Sequence, residues 1–225
     1  MALLDSNLAL RIASAVVLAP IAVAAAYFGG WAFALFWLAA AIAVAWEWTR
    51  MTKGAVWTAA GLVYAAALFI APVLLRADSQ YGLMAIVLLF AIVWSTDVFG
   101  YFGGRAIGGP KLMPSVSPKK TWSGAIAGTL GAMIVAVIVT RLFGSFSAGA
   151  IAAVALLLSV CAQAGDLFES FVKRKFGAKD SSQLIPGHGG VMDRLDGFWA
   201  AALVGCVIGV LRGGVGEAAR GLLVW

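Results

Sequence analysis

Ser170-Phe-Val-Lys-Arg-Lys-Phe-Gly-Ala-Lys-Asp-Ser-Ser-Gln-Leu-Ile-Pro-Gly-His-Gly-Gly-Val-Met-Asp-Arg-Leu-Asp196 divides two apolar runs, residues 149–168 and 198–211, and that contrast decides the fold. The stretch gathers cations, carboxylates, glycines and the only histidine of a chain that is 12% charged. A protein that concentrates its charge between runs apolar enough to cross a bilayer binds something polar at a membrane surface.

Working outward, 63% of the residues are hydrophobic and the mean hydropathy is +0.98. Soluble domains are about half apolar, so a soluble globular fold is excluded. Reading for apolar length predicts seven spans: 12–28, 31–46, 56–75, 82–102, 122–143, 149–168 and 198–211. The expected fold class is therefore all-α, a polytopic membrane helical bundle of about seven transmembrane helices. The chain reads as one membrane domain: N-terminal spans over 1–93, a core with two polar loops over 94–197, and a last span and tail over 198–225. Gly29-Gly30 should make the first two spans a tight hairpin. Cys161 and Cys206 lie inside apolar runs, where free thiols are expected rather than a disulfide framework or a cysteine metal site. No cleaved signal peptide is expected ahead of the first run.

The basic residues orient the bundle. With the N-terminus in the cytoplasm, Arg11, Arg50, Lys53, Arg105, Lys111, Lys119, Lys120, Lys173, Arg174, Lys175, Lys179 and Arg194 fall on the cytoplasmic side. Arg76, Arg141, Arg212 and Arg220 fall on the other, so 12 of the 16 lie inside. The polar loops 103–121 and 169–197 then share one side. The net charge of +6 suits anionic lipid or an anionic substrate. Nucleic acid is not expected as a partner, because no soluble basic domain exists to carry it.

Asp97 stands in an apolar window, where a carboxylate costs roughly 2.5–3.5 kcal/mol. Tyr101 and Arg105 follow at four-residue steps, so the three share a helix face, either locking helices together or walling a polar cavity. Ser117-Pro-Lys-Lys-Thr121 brings hydroxyls, Lys119 and Lys120 to the start of a span, a setting suited to phosphate. Asp166, Glu169, Ser170 and Lys173 recur at spacings of three and four at the end of another span. Asp193 and Asp196 lead into the last one. Acidic oxygens beside cations point to Mg2+, which takes one or two carboxylates and completes its shell with phosphates and water. Asp166 and Asp193, with Glu169, form the candidate metal set. His188, Gly189 and Gly190 sit in a glycine-rich turn whose N–H groups suit an anion nest. Glu47, at the end of the second span, reads either as an interfacial pair with Arg50 or as part of a catalytic cavity, the pair being slightly favoured.

These residues resemble the phosphatidate cytidylyltransferases, also called CDP-diacylglycerol synthases. Ser170, Val172, Lys173-Arg174, Lys179-Asp180, His188-Gly189-Gly190, Asp193-Arg194 and Asp196 fill that family's signature without a gap. Asp97…Tyr101…Gly104-Arg105…Ser117-Pro-Lys-Lys-Thr-Trp122 and Gly165-Asp-Leu-Phe-Glu-Ser170 are also similar to the family's. The detailed resemblance covers about residues 94–197.

The resemblance implies that CTP and phosphatidate give CDP-diacylglycerol and pyrophosphate with Mg2+ as cofactor, at the cytoplasmic face of a bacterial inner membrane. It implies catalytic roles for Asp166, Asp193, Lys173 and Arg194. Substrate binding then falls to Asp97, Tyr101, Arg105, Ser117, Lys119, Lys120, Ser170, Arg174, Lys179, Asp180, His188, Gly189, Gly190 and Asp196. Across the two sets, Lys173, Arg174, Lys179, His188 and Arg194 are expected on CTP phosphates, and Lys119 and Lys120 on the lipid headgroup. An ion-coupled transporter, a non-catalytic anionic-lipid scaffold and a related enzyme with an isoprenoid-type acceptor stay open from the residues alone. So does a homodimer.

Overall fold

A computed structural model describes residues 2–225, with side chains except those of 2–9, 11 and 15. The helices are α1 (Ala2–Phe28), α2 (Gly30–Met51), α3 (Ala55–Ala77), α4 (Gly82–Ile107), α5 (Trp122–Phe143), α6 (Ala148–Lys175), α7 (Met192–Gly213) and a short α8 (Ala218–Leu223). Two strands, β1 (Lys111–Met113) and β2 (Ser117–Thr121), form an antiparallel hairpin between α4 and α5. The protein is a polytopic all-α membrane bundle carrying that single small hairpin.

Among the described residues, six helices, α2 to α7, are long and apolar enough to span a membrane. The seventh expected span corresponds to the shorter apolar stretch Ile12–Phe28 within α1. Short connections make successive helices antiparallel. The segments 52–54, 108–121 and 176–191 therefore lie at one end, which carries most of the bundle's charge.

Apolar length placed the helix ends too early. α4 continues to Ile107, α6 to Lys175, and α7 begins at Met192, six residues before the apolar run. The edges of the expected polar loops, 103–107, 169–175 and 192–197, are therefore helix. The charges survive there because they point at one another rather than at lipid, as Lys173 does toward Glu169 one turn away (2.9 Å).

Close approaches between helices rest on glycine. On α4 and α5, Gly100 and Gly104 face Gly124 and Gly128. A Cβ on Gly124 would lie 2.7 Å from the Gly100 carbonyl, and one on Gly128 2.6 Å from that of Thr96. This is small-xxx-small packing, with backbones in van der Waals contact. α6 and α7 meet likewise, where a Cβ on Gly165 would lie 2.6 Å from the Asp196 carbonyl. Gly165 precedes Asp166 and Gly197 follows Asp196, so the same contact brings the two carboxylates to facing positions. Trp37 stacks on Phe198 (4.8 Å) at the centre of the apolar core. At the opposite end Asp78 accepts from the N–H groups of Gln80, Tyr81 and Arg220, tying α8 back onto the bundle. As expected, the turn between α1 and α2 is tight, with Gly29 at φ +65°.

Candidate active site

At the charged end a cavity of about 630 Å3 opens between α4, the hairpin, α5 and α6. Asp97, Tyr101 and Arg105 wall it from α4, as their four-residue spacing predicts. Gly100 and Gly104 line it as well, and their missing side chains let α5 approach α4 there. Arg105 donates to the Tyr101 hydroxyl (3.1 Å), so the Asp97–Arg105 lock does not form.

The hairpin supplies the other cations. Lys111 on β1 lines the cavity together with Lys119 and Lys120 on β2, because the register pairs Lys111 with Thr121. Thr121 caps α5, accepting from the Gly124 N–H (3.1 Å). The segment expected as a free helix start is thus a strand that aims its lysines across the opening. Ser117 begins that strand and is not among the cavity-lining residues.

Lys120 forms an ion pair with Asp166 of α6, whose other oxygen accepts from Ser170 (3.4 Å). Asp166 also lies within electrostatic reach of Asp97 and Asp196. Carboxylates from α4, α6 and α7 thus feel one another's charge, and Asp166 alone pairs with Lys120.

A second cluster sits beside the first and is closed. Lys173 is buried between Glu169 Oε1 (2.9 Å) and Asp193 Oδ1 (2.7 Å). Asp193 Oδ2 accepts from the backbone N–H and the hydroxyl of Ser181 and from the Gly190 N–H, each at 2.9 Å. Glu47 of α2 is fully buried. It accepts from Ser182 Oγ (2.6 Å), Ser181 Oγ (3.2 Å), Val191 N (2.8 Å) and Met192 N (2.7 Å).

These contacts show where several of the expected site residues stand. The anion in the glycine nest is the protein's own: Gly190 N–H serves Asp193, and the next two amides serve Glu47. Gly189 takes φ +87°, and a Cβ on Gly190 would collide with Ser181 and Glu47, so the turn is shaped to these carboxylates. Lys173, expected on a substrate phosphate, is held by two carboxylates. His188 Nδ1 lies 2.8 Å from Ser14 Oγ, and Arg194 donates twice to the His188 carbonyl (3.0 and 2.7 Å). Arg174 donates to the Ala178 carbonyl (2.9 Å). Lys179 and Asp180 are exposed on the loop and do not line the cavity. Glu47 does not pair with Arg50, which lies over the Trp46 ring at 4.8 Å.

The expected metal set also divides. Asp166 belongs to the open cluster, while Glu169 and Asp193 belong to the closed one. Among the described residues no three His, Cys, Asp or Glu side chains stand together as a ready-made metal site. One observation still fits a hard cation completed by substrate phosphates: the open cluster sets three carboxylates within reach of one another with a single lysine paired to one of them.

Residues 54–211 match the model of the cytidylyltransferase family. The chain belongs to that family. It is 40% identical to a phosphatidate cytidylyltransferase of Brucella abortus biovar 1 (strain 9-941), over 92% of this chain and 94% of the relative. It is 38% identical to one from Rickettsia bellii (strain RML369-C), over 85% and 86% of the two chains, and 34% identical to one from Rickettsia typhi (strain ATCC VR-144 / Wilmington), over 88% and 90%. The family match takes in the cavity, the hairpin and both loops. It leaves out Glu47, which reaches into the closed cluster from α2.

The sequence marks Glu47 but not its partners, which lie more than 130 residues away. Sequence reading missed Ser181, Ser182 and Gln163. Gln163 lines the cavity and donates to Thr129 (3.0 Å). A polar side chain deep in an apolar run was the available signal for it.

Proposed function

We propose that the protein transfers the cytidylyl group of CTP to phosphatidate, forming CDP-diacylglycerol and releasing pyrophosphate. The observation that carries this is the cavity at the charged end, where Arg105, Lys111, Lys119 and Lys120 converge beside Asp166. The names of the relatives support the choice of substrates.

The nucleophile is a phosphate oxygen of the lipid, already ionised at neutral pH, so no general base is required. It attacks the α-phosphorus of CTP in line. A bond forms from lipid oxygen to α-phosphorus, and the bond to the bridging oxygen breaks, its electron pair leaving on pyrophosphate. The difficulty is bringing two polyanions together. Fixed guanidinium and ammonium donors offset their repulsion, orient them and stabilise charge in the transition state. Lys120, held by Asp166, is poised to exchange that carboxylate for a phosphate.

Mg2+, held by Asp166 and Asp196 together with phosphate oxygens, would supply charge neutralisation at the transferring phosphorus. In this assignment Asp193 and Glu169 act on the protein's own loop. The 12-to-4 bias of basic residues supports a cytoplasmic active site in a bacterial inner membrane.

The test is incubation of the purified protein with labelled CTP, Mg2+ and phosphatidate, followed by separation of the lipid products. A labelled CDP-lipid is expected. Its absence, with the protein folded and magnesium varied, would end this reading.

A further inference from the structure

Glu47 is a carboxylate on a membrane-spanning helix, outside the matched family segment and fully buried. Such a charge is costly to bury unless its oxygens are satisfied. Here Oε1 has two donors, Ser182 Oγ and Val191 N, and Oε2 has Met192 N and a share of the Ser181 hydroxyl, whose nearer acceptor is Asp193 Oδ2. Two of those donors are backbone amides at the start of α7, which the local sequence leaves uncapped: Val191 makes no side-chain cap. Glu47 therefore does for α7, from another helix, what an N-cap residue does locally, with its charge at the positive end of the helix dipole.

The reach of this contact goes beyond the loop. Ser181 Oγ touches both Glu47 and Asp193, joining the α2 carboxylate to the Asp193–Lys173–Glu169 chain. One helical turn past Asp193 on α7 stands Asp196, which faces Asp166 across the glycine contact of α6 and α7. The rotation and height of the first turn of α7 set where Asp196 stands. None of the loop residues Glu47 holds lines the cation-rich cavity.

We propose that Glu47 is a positioning residue for the transfer reaction: it clamps the 181–192 segment and so sets Asp196 opposite Asp166, without contributing to substrate binding. This rests on the functional reading above. It predicts a particular split. Weakening the clamp lowers kcat and leaves both KM values nearly unchanged, since the cavity that binds the substrates is built elsewhere.

The experiment uses the full chain in lipid nanodiscs. Glu47→Gln keeps the size but turns a donor toward an N–H donor, and Ser182→Ala removes a single hydroxyl as the milder variant. Hydrogen exchange of peptides covering 181–192 is expected to speed up about tenfold or more in Glu47→Gln, with α4 and α5 unchanged. In the assay kcat should fall about tenfold or more with KM for CTP and for phosphatidate within about twofold, and Ser182→Ala should show the same split more weakly.

Unchanged exchange in the 181–192 peptides overturns the clamp. Faster exchange there with full kcat overturns the positioning role, and faster exchange throughout the bundle shows a merely structural one. A wild-type protein that makes no CDP-lipid overturns the functional reading and the catalytic half of this proposal, while the exchange contrast still decides the clamp.

Discussion

The two carboxylate clusters at the charged end have similar composition and opposite character. Asp166 pairs with Lys120 at the edge of a cavity, with Asp97 and Asp196 within electrostatic reach, and Lys120 and Asp166 remain partly exposed. Glu169 and Asp193 flank Lys173 in the interior, with Glu47 joined to Asp193 through Ser181, and nearly every oxygen there already has a donor. The first cluster can trade a protein partner for a ligand. The second has little left to trade, and holds a loop. Carboxylates beside lysine thus do not identify a reactive site; access and unfilled hydrogen-bonding capacity do.

The sharpest way to break this contrast is to neutralise one acid in each cluster. Asp166→Asn should lower CDP-lipid formation by about a hundredfold or more, by analogy with removal of a single transition-state group, while leaving the thermal midpoint in place. A midpoint that falls in step with activity would place Asp166 with the structural cluster instead.

Lys173→Met probes the other side. It leaves Glu169 and Asp193 in the interior without their cation, a loss typically worth about 3–5 kcal/mol. Chemical unfolding in detergent should show that destabilisation, with activity lost largely through the folded fraction. A stable but inactive Lys173→Met would mean that this lysine meets substrate after all.

Next come the hairpin lysines. Lys111→Ala and Lys119→Ala each remove one donor from a partly open cavity, so the apparent KM for CTP or phosphatidate should rise by about tenfold or less. The size of each effect should shrink as salt is raised. A change in kcat alone would argue against a binding role. The smallest effect belongs to Arg50→Ala, since Arg50 only covers the Trp46 ring. Its cost should stay near 0.5–1 kcal/mol, about the worth of an exposed cation–π contact, and turnover should be unaffected.

What could be read beforehand follows the range of the interaction. The shared face of Asp97, Tyr101 and Arg105 was legible because helical periodicity is local and strong. So was the meeting of the two polar segments at one end, since two spans separate them whichever way the chain is threaded. The partner of Asp166 was misjudged: Asp193 was expected, and Asp196 stands there. That error traces to the start of α7, which apolar length put at Phe198 and the structure puts at Met192. A helix that begins earlier carries Asp193 to the loop and turns Asp196 inward. The partners of Glu47 were beyond reach because nothing within its own helix reports a contact on the far side of the sequence. The lysine hairpin was read as a helix start because a three-residue strand leaves almost no periodic trace.

The glycine seam between α4 and α5 bears on how the protein tolerates change. Gly100, Gly104, Gly124 and Gly128 form the wall behind the hairpin, where backbone meets backbone. A single methyl at Gly124 or Gly128 would wedge the two helices apart and carry the lysines away from Asp166, although no charged group had been altered. A mutational scan should therefore find intolerance at these chemically silent positions comparable to that at the lysines. The least distinctive letters of this stretch are among its most constrained.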